Sequence, residues 1–77
     1  MTQVVTGLPV IVEICAQGQP TAFWWRNRRH VVTEHVCHWD DHCCISAHWL
    51  VRTDWGERVT LIYDRSEDQW FIDWASG

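Results

Sequence analysis

Cysteine and histidine side chains are concentrated in the middle of the chain, where their types and spacing suit metal binding. Six of them fall within twelve positions: Cys37, His38, His42, Cys43, Cys44 and His48. Thiolate and imidazole are the ligands that tetrahedral zinc prefers. If two paired strands flank a loop at 41–46, His38 and His48 would lie directly opposite each other on one face. The candidate zinc ligands are therefore Cys37, His38, His42, Cys43 and His48.

The spacing of this cluster also argues against zinc. No Cys-x-x-Cys pair is present, and adjacent cysteines such as Cys43 and Cys44 rarely point both thiols at one metal. In the alternative, His38 and His48 are solvated neighbours across a strand pair, and Cys37 or one of the loop thiols packs as a small apolar side chain. We favour this alternative and expect no bound cofactor.

Thiol catalysis is the other chemistry that these residue types allow. Cys43 or Cys44 could act as a nucleophile with His42 as base, but catalysis also needs a group that orients the base, an oxyanion donor and a pocket. A chain of 77 residues has little room for all three. The glycines stand singly, so there is no phosphate-binding loop. We therefore predict a protein that is not an enzyme and has no catalytic residues.

Arginine and tryptophan form a second group of interest. The chain has seven Trp, six Arg, no Lys and a net charge of −4. Trp and Arg are enriched at the energetic centres of protein interfaces, and together they also bind single-stranded nucleic acid by stacking and phosphate contacts. The acidic net charge opposes the second function, so we favour a protein partner. The predicted interaction surface comprises Trp24, Arg26, Arg28, Arg29 and Trp55.

These residues must be positioned by β-strands, because turn residues recur at short intervals between segments rich in Val, Ile and aromatic residues. Six strands are predicted, at about 10–16, 21–26, 30–39, 47–53, 58–64 and 69–74. Asn27 suits the positive φ of a tight hairpin turn. The length allows one domain, with an ordered core at about 9–75. The predicted fold is an all-β, six-stranded antiparallel meander or a small, strongly coiled barrel-like sheet with a Trp-rich core.

Alternation along each strand predicts which side chains are buried. The predicted core consists of Val10, Val12, Ile14, Phe23, Trp25, Trp49, Val51, Val59, Leu61, Trp70, Ile72 and Trp74, with Trp39 as a fifth buried tryptophan. Trp24 and Trp55 fall outside this phase. We expect these two indoles to be exposed, although a strongly coiled sheet could fold over Trp24.

The remaining expectations concern location and assembly. The N-terminal residues do not form a targeting signal, and no apolar run is long enough for a membrane helix. We therefore expect a cytoplasmic protein whose cysteines are not in disulfides. The edge strands of an open sheet must be paired, covered or charged. The first strand has only Glu13 as a charge near its middle, so a homodimer could form along that edge.

The run at 20–32, followed by Trp39 and the segments 49–53, 61–64 and 69–72, resembles an uncharacterised family of small bacterial all-β domains. Members have a P-x-x-F-x-W-R-x-R-x-Y-x-V opening and an L-Y-x-D-x-x-x-x-x-W-F-L ending. They occur alone or at the C-terminus of proteins related to Y-family, error-prone DNA polymerases, and no activity is assigned to them. The resemblance implies an accessory role in DNA-damage tolerance. His30 stands where the family has an aromatic residue, and the Cys and His cluster would be peculiar to this chain.

Overall fold

Six antiparallel strands form a closed barrel in the computed structural model, which describes residues 7–41 and 45–74. They are β1 (Leu8–Ile14), β2 (Pro20–Trp25), β3 (Arg28–Asp41), β4 (Ser46–Thr53), β5 (Arg58–Asp64) and β6 (Gln69–Trp74). Each strand pairs with its neighbours in the chain, and β6 closes on β1. The predicted all-β, six-stranded antiparallel fold is confirmed. Within the described residues, no helix is long and apolar enough to cross a membrane.

The turn between β2 and β3 contains only two residues. They are Arg26 and Asn27, with φ values of 52° and 64°. Two successive positive φ values are characteristic of the type I′ turn, whose twist matches that of the flanking strands. The positive φ predicted for Asn27 is confirmed. Because the turn has only two residues, β3 begins two positions before its predicted start.

The barrel interior is filled by the side chains that alternation assigns to it. Eight buried apolar residues form the core: Val10, Phe23, Ala47, Trp49, Val51, Val59, Leu61 and Ile72. The rings of Trp49 and Trp70 lie 5.2 Å apart, and Tyr63 lies 5.0 Å from Trp70. The predicted Trp-rich core is thus present, with Val12, Trp25 and Trp70 partly buried against it. The predicted core also includes Trp74, whose backbone belongs to β6 but whose side chain lies outside what the structure describes.

Two predicted core residues are exposed instead. Ile14 is 53% exposed because the register between β1 and β2 shifts between Glu13 and Ile14, which takes Ile14 out of the inward phase. Trp39 is 43% exposed. It pairs with His48 on the outer face of the sheet, while its neighbour His38 faces inward against Trp49. The prediction of a buried fifth tryptophan at Trp39 is therefore wrong.

The long strand β3 takes part in two different ladders. Residues 28–31 pair with β2, and residues 32–41 pair with β4. Two register shifts, between Val32 and Glu34 and between His35 and Cys37, bend the strand as it passes from one ladder to the other. Beyond residue 32, no described strand lies along the other edge of β3. β1 is divided in the same way: residues 8–10 pair with β6 and residues 11–14 pair with β2, so β1 is not the edge strand of an open sheet.

Candidate interaction surface

The exposed Trp24 lies on the outer face of the barrel, where β1, β2 and β3 run side by side. The strand registers place it between Ile11 and Arg29, and residues in direct register share a face. Trp24 is 42% exposed and Ile11 is 71% exposed. The predicted exposure of Trp24 is confirmed. We refer to Ile11, Glu13, Trp24 and Arg29 as the Trp24 face.

Glu13 organises this face. Its Oε2 accepts hydrogen bonds from the indole N–H of Trp24, at 3.1 Å, and from Nε of Arg29, at 2.8 Å. Its Oε1 accepts a second bond from the same guanidinium, also at 2.8 Å. Such a bidentate ion pair fixes the orientation of both side chains in addition to its electrostatic attraction. The bonds from Arg29, with a smaller contribution from Trp24, lower the pKa of Glu13 to about 2.

The sequence does not identify Glu13 as a member of the candidate site, and indicates only that it is a charge in the predicted first strand. The outward phase of Glu13 in β1 was a usable signal, since that phase puts it on the side opposite to Val12. What the sequence lacked was the pairing of Glu13 with Ala22, which brings its carboxylate within reach of both Trp24 and Arg29.

An open cleft of about 410 Å³ adjoins the Trp24 face. It is lined by Pro9, Val10, Ile11, Trp24, Arg26, Asn27 and Gln69. The lining combines an aromatic and aliphatic wall with one cation and two amides. It contains no nucleophile and no acid–base pair. This chemistry suits the binding of a ligand that carries apolar and carboxylate or carbonyl groups.

Trp55, predicted to belong to the same surface, lies elsewhere. The guanidinium of Arg28 sits 4.5 Å from the centre of its ring, and His30 lies 5.9 Å from it. His30 in turn stacks in parallel on the buried Phe23 at 5.1 Å. Trp55 is 56% exposed, as predicted, but it covers the aromatic stack on the inward-facing side of the β2–β3 hairpin.

The structure therefore divides the predicted interaction surface. Trp24 and Arg29 meet on the outer face, whereas Arg28 and Trp55 meet on the opposite side of the hairpin. Arg26 lies in the turn between them, 5.4 Å from the centre of the Trp25 ring. The alternating direction of side chains along a strand accounts for the split, because Arg28 and Arg29 are adjacent in the chain and must point to opposite faces.

The arrangement proposed for zinc is corrected by the register of β3 and β4. His38 pairs with Trp49 and stacks on it at 4.6 Å, while Trp39 pairs with His48 and stacks on it at 5.2 Å. The pairing differs by one residue from the predicted one, and a shift of one residue reverses every side chain. His38 and His48 consequently lie on opposite faces and cannot share a metal ion.

The other predicted ligands do not restore the site. Cys37 is exposed and pairs with Leu50 on the outer face, so it is not the thiol that packs as an apolar side chain. The loop thiols of Cys43 and Cys44, which the prediction also allowed, lie outside the described residues. His48 contacts the hydroxyl of Ser46 at 3.0 Å. His42 and Cys43 lie outside the described residues. Among residues 7–41 and 45–74, no three His, Cys, Asp or Glu side chains are grouped so as to hold a metal ion.

The ion pair of the Trp24 face predicts a pH-dependent contribution to stability. The pKa of Glu13 falls from 4.5 to about 2 on folding, so the pair stabilises the folded state above pH 4.5 and loses this effect as the pH falls toward 2. We expect thermal melting of the wild type and of Glu13→Gln to differ by a constant amount above about pH 5 and to converge near pH 2.

A suitable control is Glu34→Gln, since Glu34 forms a looser exposed pair with Arg52 at 3.7 Å. We expect that variant to melt like the wild type at every pH, because loose surface pairs contribute little. A difference between wild type and Glu13→Gln that persists unchanged down to pH 2 would contradict the assignment.

Comparison with known proteins identifies no relative of this chain. No family model, curated protein or solved structure matches the chain. The geometry of the Trp24 face is therefore the basis for the function proposed below.

Proposed function

We propose that the chain is a non-catalytic protein-interaction module that binds its partner through the Trp24 face. One observation carries the proposal: Trp24 is exposed and yet held in place. Its ring is 42% accessible, while its N–H is bonded to Glu13, which Arg29 holds from the other side. A large side chain that is already ordered loses little conformational entropy on binding. Tryptophan is one of the residues most often found at the hot spots of protein interfaces.

The surroundings of Trp24 favour the binding of a peptide that has both apolar and acidic side chains. Ile11 and Pro9 extend the apolar surface, and Arg26 stands at the end of the cleft. Among the described residues, no carboxylate lies within ion-pair distance of Arg26. A partner carboxylate could therefore pair with Arg26 while an apolar side chain packs against Trp24.

The same geometry weakens the alternative of single-stranded nucleic-acid binding. Arg29 is already neutralised by Glu13, which leaves Arg26 and Arg28 as the cations of the turn that have no described carboxylate partner. Backbone binding depends on the number of phosphates that a protein neutralises. Two cations in a chain of net charge −4 provide little of this contribution.

The family resemblance supports a more specific setting. We propose an accessory role in DNA-damage tolerance in the bacterial cytoplasm, with an error-prone DNA polymerase as the protein partner. A reducing compartment is compatible with Cys15 and Cys37, which are both free thiols. The carboxyl-terminal region of such a polymerase is the first partner to test.

Binding of the wild type, Trp24→Ala and Trp55→Ala to that purified polymerase region tests the proposal. We expect Trp24→Ala to weaken binding by about 30-fold or more, which corresponds to a loss of about 2 kcal/mol at an interface centre. Trp55→Ala should bind like the wild type, because Trp55 lies on the other side of the hairpin. Near-ultraviolet circular dichroism checks that each variant is folded.

Equal affinities of the wild type and Trp24→Ala would contradict the proposal. A titration of tryptophan fluorescence with short single-stranded DNA tests the alternative directly. Quenching that weakens at high salt and disappears in Arg28→Ala would favour nucleic-acid binding instead.

A further inference from the structure

The cleft beside Trp24 lies where β1 changes its pairing partner. Residues 11–14 of β1 pair with β2, while residues 8–10 pair with β6. The last pair between β1 and β2 joins Ile11 to Trp24. Beyond that pair, the start of β1 and the β2–β3 turn are no longer hydrogen-bonded to each other, and the residues that line the cleft come from both. The cleft is therefore a fork between two strands.

The charges around this fork match a ligand with a single negative charge. Arg26 lines the cleft, and no described carboxylate lies within ion-pair distance of it. Arg29, the other cation beside Trp24, already donates two hydrogen bonds to Glu13. The pair of Arg29 with Glu13 is neutral as a whole and offers no net charge to a ligand. One cation is thus available at one end of the cleft, and an apolar wall at the other.

Two amide side chains complete the polar part of the cleft. Asn27 follows Arg26 in the turn, and its amide nitrogen can donate two hydrogen bonds. Nε2 of Gln69 donates to the backbone carbonyl of Trp70 at 3.0 Å, which orients this amide and leaves its oxygen as an acceptor. A carboxylate suits the donors of the turn, and a backbone N–H of the same ligand suits the oxygen of Gln69.

The C-terminus of a peptide fits these features better than an internal segment does. A volume of about 410 Å³ is near the lower end of the range for ligand pockets, about 300–1,000 Å³, so the cleft holds only a few side chains. A C-terminal residue carries its carboxylate and its side chain on one Cα, and only one chain has to leave the cleft. Pairing with an added β-strand is disfavoured, because Pro9 lines the cleft and has no backbone N–H.

We propose that the cleft binds the C-terminus of a partner protein, with the terminal carboxylate at Arg26 and the last, apolar side chain against Trp24. This inference rests on the proposed function, because it assigns the ligand of the same surface. The bond from Trp24 to Glu13 holds the apolar wall in place before the peptide arrives. Recognition therefore depends on a free chain end and not on an acidic side chain.

Peptides that differ only at their C-terminus test the proposal. The probes are short N-acetylated peptides ending in leucine, isoleucine or phenylalanine, each as a free carboxylate and as a carboxamide. Binding to the full chain is followed by NMR of the indole N–H groups. We expect a carboxylate peptide to bind with a Kd of about 1 mM or below and its carboxamide to bind about tenfold more weakly. Equal binding of the two forms, or no binding of any carboxylate peptide at about 1 mM, would overturn the proposal.

Two arginine variants locate the carboxylate. Arg26→Gln should weaken binding of the carboxylate peptide about tenfold and leave binding of the carboxamide unchanged. Arg28→Gln is the matched control and should bind both peptides like the wild type, because Arg28 lies over Trp55 on the other side of the hairpin. Near-ultraviolet circular dichroism verifies that both variants are folded. An equal loss of binding in the two variants would overturn the assignment of Arg26.

A further peptide distinguishes the source of the carboxylate. It carries an internal aspartate and a C-terminal carboxamide, and it should bind no better than the carboxamide without aspartate. If it binds like the free carboxylate, the site recognises acidic side chains, and the inference fails while the proposed interaction function stands. The proposed function fails on a different result, namely equal binding of the polymerase region by the wild type and Trp24→Ala.

Discussion

Phe23→Ala is expected to lower the free energy of unfolding by about 3–5 kcal/mol. Phe23 is completely buried and stacks on His30 at 5.1 Å. Truncation to alanine removes the free energy of burying the phenyl ring and also removes its stacking contact with His30. A chain of this length has a total stability of about 4–12 kcal/mol. The variant should therefore be partly unfolded in water, which chemical denaturation followed by tryptophan fluorescence will show.

Ile11→Ala is the matched control for Phe23→Ala. Ile11 is on the neighbouring strand and opposite Trp24, but its side chain is 71% exposed. Its truncation should change the stability by no more than about 0.5 kcal/mol. If the two variants have similar denaturation midpoints, the assignment of inner and outer faces in β1 and β2 is wrong.

The second large effect is expected at Trp49. Its side chain is 9% exposed and packs against Trp70 at 5.2 Å and His38 at 4.6 Å. Trp49→Ala should therefore cost about 3–5 kcal/mol. Trp39→Ala should cost about 1 kcal/mol or less, because Trp39 packs mainly against His48 at the surface. Chemical denaturation followed by far-ultraviolet circular dichroism gives both values.

Trp49→Phe separates packing from hydrogen bonding at the same position. The indole N–H of Trp49 is buried and has no hydrogen-bond partner among the described residues. Phenylalanine keeps a ring and removes this donor, so Trp49→Phe should be clearly more stable than Trp49→Ala. Equal losses for Trp39→Ala and Trp49→Ala would contradict the orientation of the β3–β4 hairpin.

Strand positions were largely predictable because their signals are local. The bounds of β5 and β6 agree with the predicted 58–64 and 69–74, since both strands are delimited by turn residues such as Gly56 and Asp68, which have positive φ. Alternation also identified most of the core and two of the three indoles that are exposed among the described residues, Trp24 and Trp55. Where the strands are regular, a period of two is sufficient to predict burial.

The errors occur where regularity ends. Ile14 and Trp39 were predicted to be buried, and His38 and His48 were predicted to share a face. A register shift accompanies the error at Ile14, and the one-residue difference in the pairing of β3 and β4 accounts for the histidines. A single residue of slip reverses the direction of every following side chain. No local signal specifies such a slip, because it depends on how the strands curve and pair around the barrel.

The sequence by itself therefore determined the number and order of the strands, the tryptophan-rich interior and the exposure of Trp24 and Trp55. These properties follow from side-chain alternation and turn chemistry within a few residues. Only the tertiary structure decided that β1 pairs with β6 through its first residues and with β2 through its last ones, and that Glu13 joins Trp24 to Arg29. The physical reason is that each depends on register between strands distant in the chain, which barrel closure imposes.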